Sequence, residues 1–188
     1  EMLMLYEEMI EHKLLMESGM SANLIMKNIV TLGIKLKEFK WTEKIIKQHR
    51  HVLPGKYKES TTSFNLANLY FAKGEYEKSL KFLQEVSFID PFFRINYDML
   101  LMKNFYEVGE YDPLLARCHS FYTYLKRDKT LAKTNLTAYI NVAKFMRKLA
   151  RAKFNSKKNY DKLVEELKGY QLMVDREWFE RKLGELVA

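Results

Sequence analysis

The sequence predicts an all-α fold of about nine or ten helices. Three observations carry that prediction. Seven glycines and three prolines in 188 residues leave few helix breakers, while the abundant Leu, Lys, Glu and Met favour helix. Apolar residues recur at three- and four-residue spacing along nearly the whole chain, the period of an amphipathic helix. The breakers stand where those runs stop, as at Gly19, Gly74, Gly109, Asp90-Pro91 and Asp112-Pro113. No Pro/Gly/Ser-rich linker divides the chain, so 1–188 reads as a single domain.

Taken in order, Met2–Glu17 places Leu3, Tyr6, Ile10, Leu14 and Leu15 on one helical face, and Ser18-Gly19 ends it. Residues 1–18 are either the second helix of a preceding, truncated repeat or an N-terminal cap. The chain starts at Glu1 directly in helical pattern, which we read as a fragment of a longer protein. Residues 23–56 form a helix pair with Ile29, Val30 and Gly33 on one face, closed by Pro54 and followed by the insert Gly55-Lys56-Tyr57-Lys58. Residues 60–93 form the best-marked pair. Phe64, Leu66, Ala67, Leu69, Tyr70 and Phe71 precede the break at Gly74, and Tyr76, Ser79, Leu80, Leu83 and Val86 follow it. Residues 95–128 repeat the arrangement around Gly109 and Tyr111, with Asp112 capping and Pro113 opening the next helix. A long helix is expected from Asp128 to Ala152, with Leu131, Leu136, Tyr139, Ile140, Ala143, Met146, Leu149 and Ala150 as its apolar stripe. Asn155–Lys168 follows, with Gly169 as terminator, so 129–170 is a degenerate helix pair. Asp175 caps a last helix over 175–187, with Trp178, Phe179, Leu183 and Leu186 facing inward.

The 60–93 unit resembles a tetratricopeptide repeat, a helix–turn–helix of about 34 residues. Leu66, Ala67 and Tyr70 match its large, small and aromatic positions; Gly74 and Tyr76 match its turn, Ser79 its second small position and Pro91 its closing proline. In the 23–56 unit, Phe39 and Thr42 take the turn-aromatic and small positions, and Lys37 stands where the motif has Gly, so a different turn is expected there. In the third unit Met102, Leu114 and Phe121 replace small residues, which predicts looser or shifted interhelix packing. The resemblance implies a right-handed α-α superhelix, a solenoid whose terminal helix shields the last apolar face.

It also implies that the first helix of each pair lines a concave groove. The groove positions are then Leu24, Lys27, Thr31 and Ile34, next Phe64, Asn68 and Phe71, and last Asn96, Met99, Lys103 and Tyr106. Aromatic and Met surface, Asn amides and Lys cations together suit a protein or peptide partner, acidic in part and with apolar anchors. The function expected is that of a protein–protein interaction scaffold. Each aromatic or Met of the set has a second reading as plain helix packing. Some repeats of this family grip a C-terminal carboxylate with two Asn and three basic residues. Lys27 and Asn65 agree with that set, whereas Thr31, Asn96 and Leu100 depart from it, so that activity is not expected.

Net charge is +8, and twelve basic residues against Asp128 alone lie between Arg117 and Lys158. The stripe is a solvated or protein-facing surface, a polyanion contact through Lys144, Arg147, Lys148 and Arg151, or a surface that meets an acidic neighbouring domain of a longer protein. Its aromatics Tyr139, Phe145 and Phe154 fall mostly on the apolar side and read as core, and no base-reading motif accompanies them. Nucleic acid is therefore the alternative partner rather than the first. His49 and His51 diverge on a helix and do not make a metal pair. Cys118 reads as a buried, inert thiol beside His119, with no base and orienter to activate it. No phosphate-binding glycine loop is present. We expect no enzyme activity, no metal and no cofactor. One cysteine and no apolar run of about 18 residues point to a reducing, cytoplasmic setting without a membrane partner.

Overall fold

The computed structural model describes residues 3, 5, 6, 8, 22–53, 58–87, 91–152 and 160–187. Within them the fold is all-α. The helices are α1 (Ala22–Lys35), α2 (Phe39–Gln48), α3 (Lys58–Ala72), α4 (Tyr76–Gln84), α5 (Pro91–Val108), α6 (Tyr111–Arg127), α7 (Lys133–Ala152), α8 (Tyr160–Gly169) and α9 (Arg176–Val187), with a 3₁₀ turn at His49–Val52. Most of the expected 1–18 helix, the Ser18-Gly19 stop, Pro54 with its insert up to Tyr57, and Asp90 lie outside the described residues. So do Lys153, Phe154, Lys157 and Lys158. The chain divides into two compact units, 1–104 and 105–188, and the boundary falls inside α5.

In the first unit α1 packs on α2, and α3 packs on α1, α2 and α4. Small residues set the two helix crossings. A Cβ on Gly33 would fall 2.1 Å from the Thr42 hydroxyl, so only glycine lets α1 come this close to α2. In the next pair the buried Ser79 Oγ donates to the Ala67 carbonyl at 2.8 Å. Ile25, Met26, Ile29, Val30, Ile45, Ile46, Leu66, Leu69 and Tyr70 share one core, against which Tyr6, Phe39, Trp41 and Phe82 are packed.

Three tight turns among the described residues share one backbone device. Lys37, Gly74 and Gly109 have φ of 60°, 79° and 80°. Their amides donate to the carbonyls of Ile34, Phe71 and Tyr106, and the amides of Glu38, Glu75 and Glu110 donate to Gly33, Tyr70 and Phe105. That pair of bonds is the Schellman closure of a helix C-terminus. The turn at Lys37 is thus the same as at the two glycines. Lys37 adopts a left-handed conformation that costs a residue with a Cβ roughly 1 kcal/mol relative to glycine.

In the second unit α6 lies along α7, and α8 packs on both α7 and α9. Two expectations are corrected here. Helix α6 begins at Tyr111 with Glu110 as N-cap, so Asp112 and Pro113 sit within its first turn. Proline is tolerated there because first-turn amides have no helical acceptor. The helix expected from Asp128 begins only at Lys133. Asp128 Oδ1 accepts the amides of Thr130 and Leu131 at 2.8 and 3.0 Å, a local alternative to helix that short Asp side chains favour. Those amides, with the Thr130 hydroxyl, hold the Asp128 carboxyl below the usual range. The bulky replacements Met102, Leu114 and Phe121 are fully buried.

Helix α9 is positioned by its apolar face. Phe179 meets Phe145 of α7 edge-on at 5.4 Å, and Trp178 meets Tyr106 at 5.4 Å. Asp175, at φ 55°, starts the helix with its carbonyl, which accepts the Trp178 amide at 3.0 Å. Among the described residues no helix is long and apolar enough to cross a membrane.

Candidate functional site

The first helices of the 1–104 unit bring two of the expected groove residues together. Phe71 ends α3, and Lys103 lies late on α5. The Lys103 ammonium stands 5.2 Å from the centre of the Phe71 ring, within cation–π range. Phe71 also meets Tyr76 at 5.4 Å. Both Phe71 and Lys103 remain half-exposed. Asn68, one turn before Phe71, is half-buried and donates its amide back to the Phe64 carbonyl at 2.9 Å. Asn96 is half-buried on α5.

On α1, Thr31 is exposed and donates to the Lys27 carbonyl at 2.8 Å. Lys27 is half-buried, and that burial pulls its ammonium below the ordinary lysine range. Leu24 is exposed and Ile34 half-buried. Three residues of the set are enclosed. Phe64 and Met99 are 4 % and 6 % exposed, and Phe64 meets Phe93 edge-on at 6.0 Å. Tyr106 is 4 % exposed and packs in the second unit against Tyr111 and Trp178, where burial raises its phenol. Each of these side chains is apolar and at helical spacing, the pattern of core as much as of groove.

Of these first helices only α1 is one-sided in charge, since α3 and α5 each carry as many acids as bases. Helix α1 carries Lys27 and Lys35 and no acid. On α5, Arg94 faces the buried Asp98 at 3.8 Å. On α3, Glu59 pairs with Arg50. The half-exposed residues of these helices include lysine cations, amides and an aromatic ring, groups that can hold a carboxylate beside an apolar side chain.

On α7, Lys144, Lys148 and Arg151 are exposed at spacings of four and three, so they share one face. Lys148 is engaged by Glu166 of α8. Arg147 is half-buried on the side toward Cys118. It favours the Cys118 thiolate, but burial dominates and pushes the thiol up to about 12. The cysteine is therefore a poor nucleophile. Phe145 is fully buried, as the apolar-side reading expects.

One cluster escapes sequence reasoning. Lys182 and Glu107 are 6 % and 7 % exposed at the side chain and stand 2.7 Å apart. Trp178 Nε1 donates to the other Glu107 oxygen at 3.0 Å, and Lys182 also reaches Glu185 at 2.8 Å. Burial draws the Lys182 ammonium down, but its bonds to Glu107 and Glu185 outweigh this and leave it above the usual lysine range. The sequence signal is faint: one Lys between Phe179 and Leu183 on an otherwise inward face. An open cavity of about 450 Å³ lies between α8 and α9, lined by Val164, Leu167, Lys168, Glu180, Leu183 and Gly184. Among the described residues no three His, Cys, Asp or Glu side chains are grouped to hold a metal ion. A scan against protein-family models, a search of curated proteins and a search of solved structures found no match to this chain.

Proposed function

We propose that the chain is a tetratricopeptide-like interaction module, and that a partner peptide lies on the face formed by α1, α3 and α5. The observation that carries this reading is the Lys103–Phe71 contact. It joins groove positions of two successive helix pairs into one half-exposed aromatic and cationic surface. The peptide would place an apolar side chain against Phe71 and a carboxylate at Lys103, with Asn68, Asn96, Lys27 and Thr31 along its backbone. A preformed helical face loses little ordering entropy on binding. The module would act by recognition, with no chemistry of its own, and a reducing cytoplasmic setting goes with its buried free thiol.

The test selects peptides on the purified chain from a displayed random library. Acidic peptides with an apolar anchor should be enriched. The Phe71→Ala, Lys103→Glu double variant should fold, by circular dichroism, and lose them. Equal capture by that variant would sink the assignment. The right-handed superhelical arrangement is part of this proposal, and small-angle scattering tests it.

A second reading is a polyanion contact on α7, favoured by Lys144 and Arg151 exposed on the same face as Lys148. Heparin retention that falls steeply with salt, and disappears in Lys144→Glu with Arg151→Glu, would support it. Retention without such salt dependence would dismiss it.

A further inference from the structure

The three Schellman turns share a backbone but not a surface. Over the six residues centred on each, 35–40 carry Lys35, Lys37, Glu38 and Lys40; 72–77 carry Lys73, Glu75 and Glu77; 107–112 carry Glu107, Glu110 and Asp112. The charge runs from +2 through −1 to −3. In the second turn Glu75 draws in both Lys73 and Lys78. In the first, Lys35, Lys37 and Lys40 are all exposed. Between them stands Leu36, 49 % exposed, at the position that Lys73 and Val108 take in the other two. Finally, Lys37 occupies the left-handed position, φ 60°, where both sister turns use glycine. A lysine in this conformation is strained, so it supplies charge at a cost to the fold.

We propose that the α1–α2 turn is a contact for an anionic lipid surface. Lys35, Leu36, Lys37 and Glu38 are exposed in succession. The end of a helix pair presents a point rather than a groove, which suits the headgroup layer of a bilayer better than it suits a peptide. The lysines meet the anionic headgroups, and Leu36 enters the acyl boundary between them. The contact is peripheral and weak by itself, so it would act as one of several attachments. It needs no membrane-spanning helix.

The test is co-sedimentation of the chain with vesicles of phosphatidylcholine, alone or mixed with phosphatidylserine, at low and moderate salt. Binding should require phosphatidylserine and weaken with salt. Lys37→Gly should weaken it about fivefold, the factor for about 1 kcal/mol per lysine near an anionic bilayer. The same change should raise the melting temperature, by about 2–4 °C, because glycine relieves the left-handed residue. A loss of binding in a more stable protein cannot be blamed on misfolding. Leu36→Ser should weaken vesicle binding by a similar factor and leave retention on immobilised polyglutamate unchanged. Vesicle binding that is absent, or that survives Lys37→Gly combined with Lys35→Glu, overturns the proposal. Polyglutamate retention stronger than vesicle binding, with both indifferent to Leu36, overturns it in favour of an acidic protein partner.

Discussion

The two units differ in the contacts that tie particular helices together. In 1–104 the helix pairs close through small residues, Gly33 against Thr42 and Ser79 against Ala67. Backbones approach closely; the Thr42 hydroxyl donates back to the Glu38 carbonyl at the start of its own helix, and the Ser79 hydroxyl donates across the crossing to Ala67. In 105–188 α6 buries Leu114 and Phe121 fully. Cohesion there comes from aromatic edges at Phe145, Phe179, Trp178 and Tyr106, and from a buried Glu107–Lys182 ion pair. The difference is one of tolerance. A crossing made by small residues fails when volume is added. A core of large rings and a paired charge fails when something is removed.

The sharpest way to break that comparison is Lys182→Ala. It leaves the Glu107 carboxylate buried without its cation, and it should destabilise the second unit by about 3–5 kcal/mol. Lys182→Met combined with Glu107→Gln should cost less than the single change. The Gln still accepts from Trp178, and no lone charge remains. Thermal melts with hydrogen exchange resolved by unit would show it, and a double variant as damaged as the single one would contradict the ion-pair account. Next is Gly33→Ala, which puts a Cβ on the Thr42 hydroxyl and should cost about 1–3 kcal/mol. Exchange should speed up in α1 and α2 and hardly change in α6–α9. Ser79→Ala removes one buried hydrogen bond and should cost about 1 kcal/mol, again within the first unit alone.

The smallest effect is in pH. Because the folded Lys182 is held above its unfolded value, its contribution is fully present below about pH 10.4. It is lost as the pH rises through the folded value. Alkaline titration should therefore loosen α9 in the wild type, and Lys182→Met should abolish that step. A step that persists would assign it to another group.

Much of the fold is legible in the residues. The breaks at Gly74 and Gly109, the inward face of Trp178, Phe179 and Leu183, and the inert Cys118 all follow from spacing and composition, which are local signals. Lys37 shows where such signals stop. Its side chain argues against a left-handed turn, yet α1 closes there with the same pair of hydrogen bonds as at the two glycines. Asp128 shows the same limit, since an apolar period continues through it while its carboxylate ties up the amides of Thr130 and Leu131.

For the candidate site, sequence put Phe71 and Lys103 on two different helices, and only the tertiary structure set them 5.2 Å apart. It also enclosed Phe64, Met99 and Tyr106, which periodicity treats as equal to Phe71. Periodicity reports which face of a helix is apolar, not what lies against that face. That the chain is helical, where most of its helices turn and which stripes are apolar can be read from the residues alone, because those are set by residues a few positions apart. The tertiary structure decided which stripe is core and which is surface, and which distant charges meet, as Glu107 and Lys182 do. Those outcomes depend on contacts between helices, whose free energy no single segment contains.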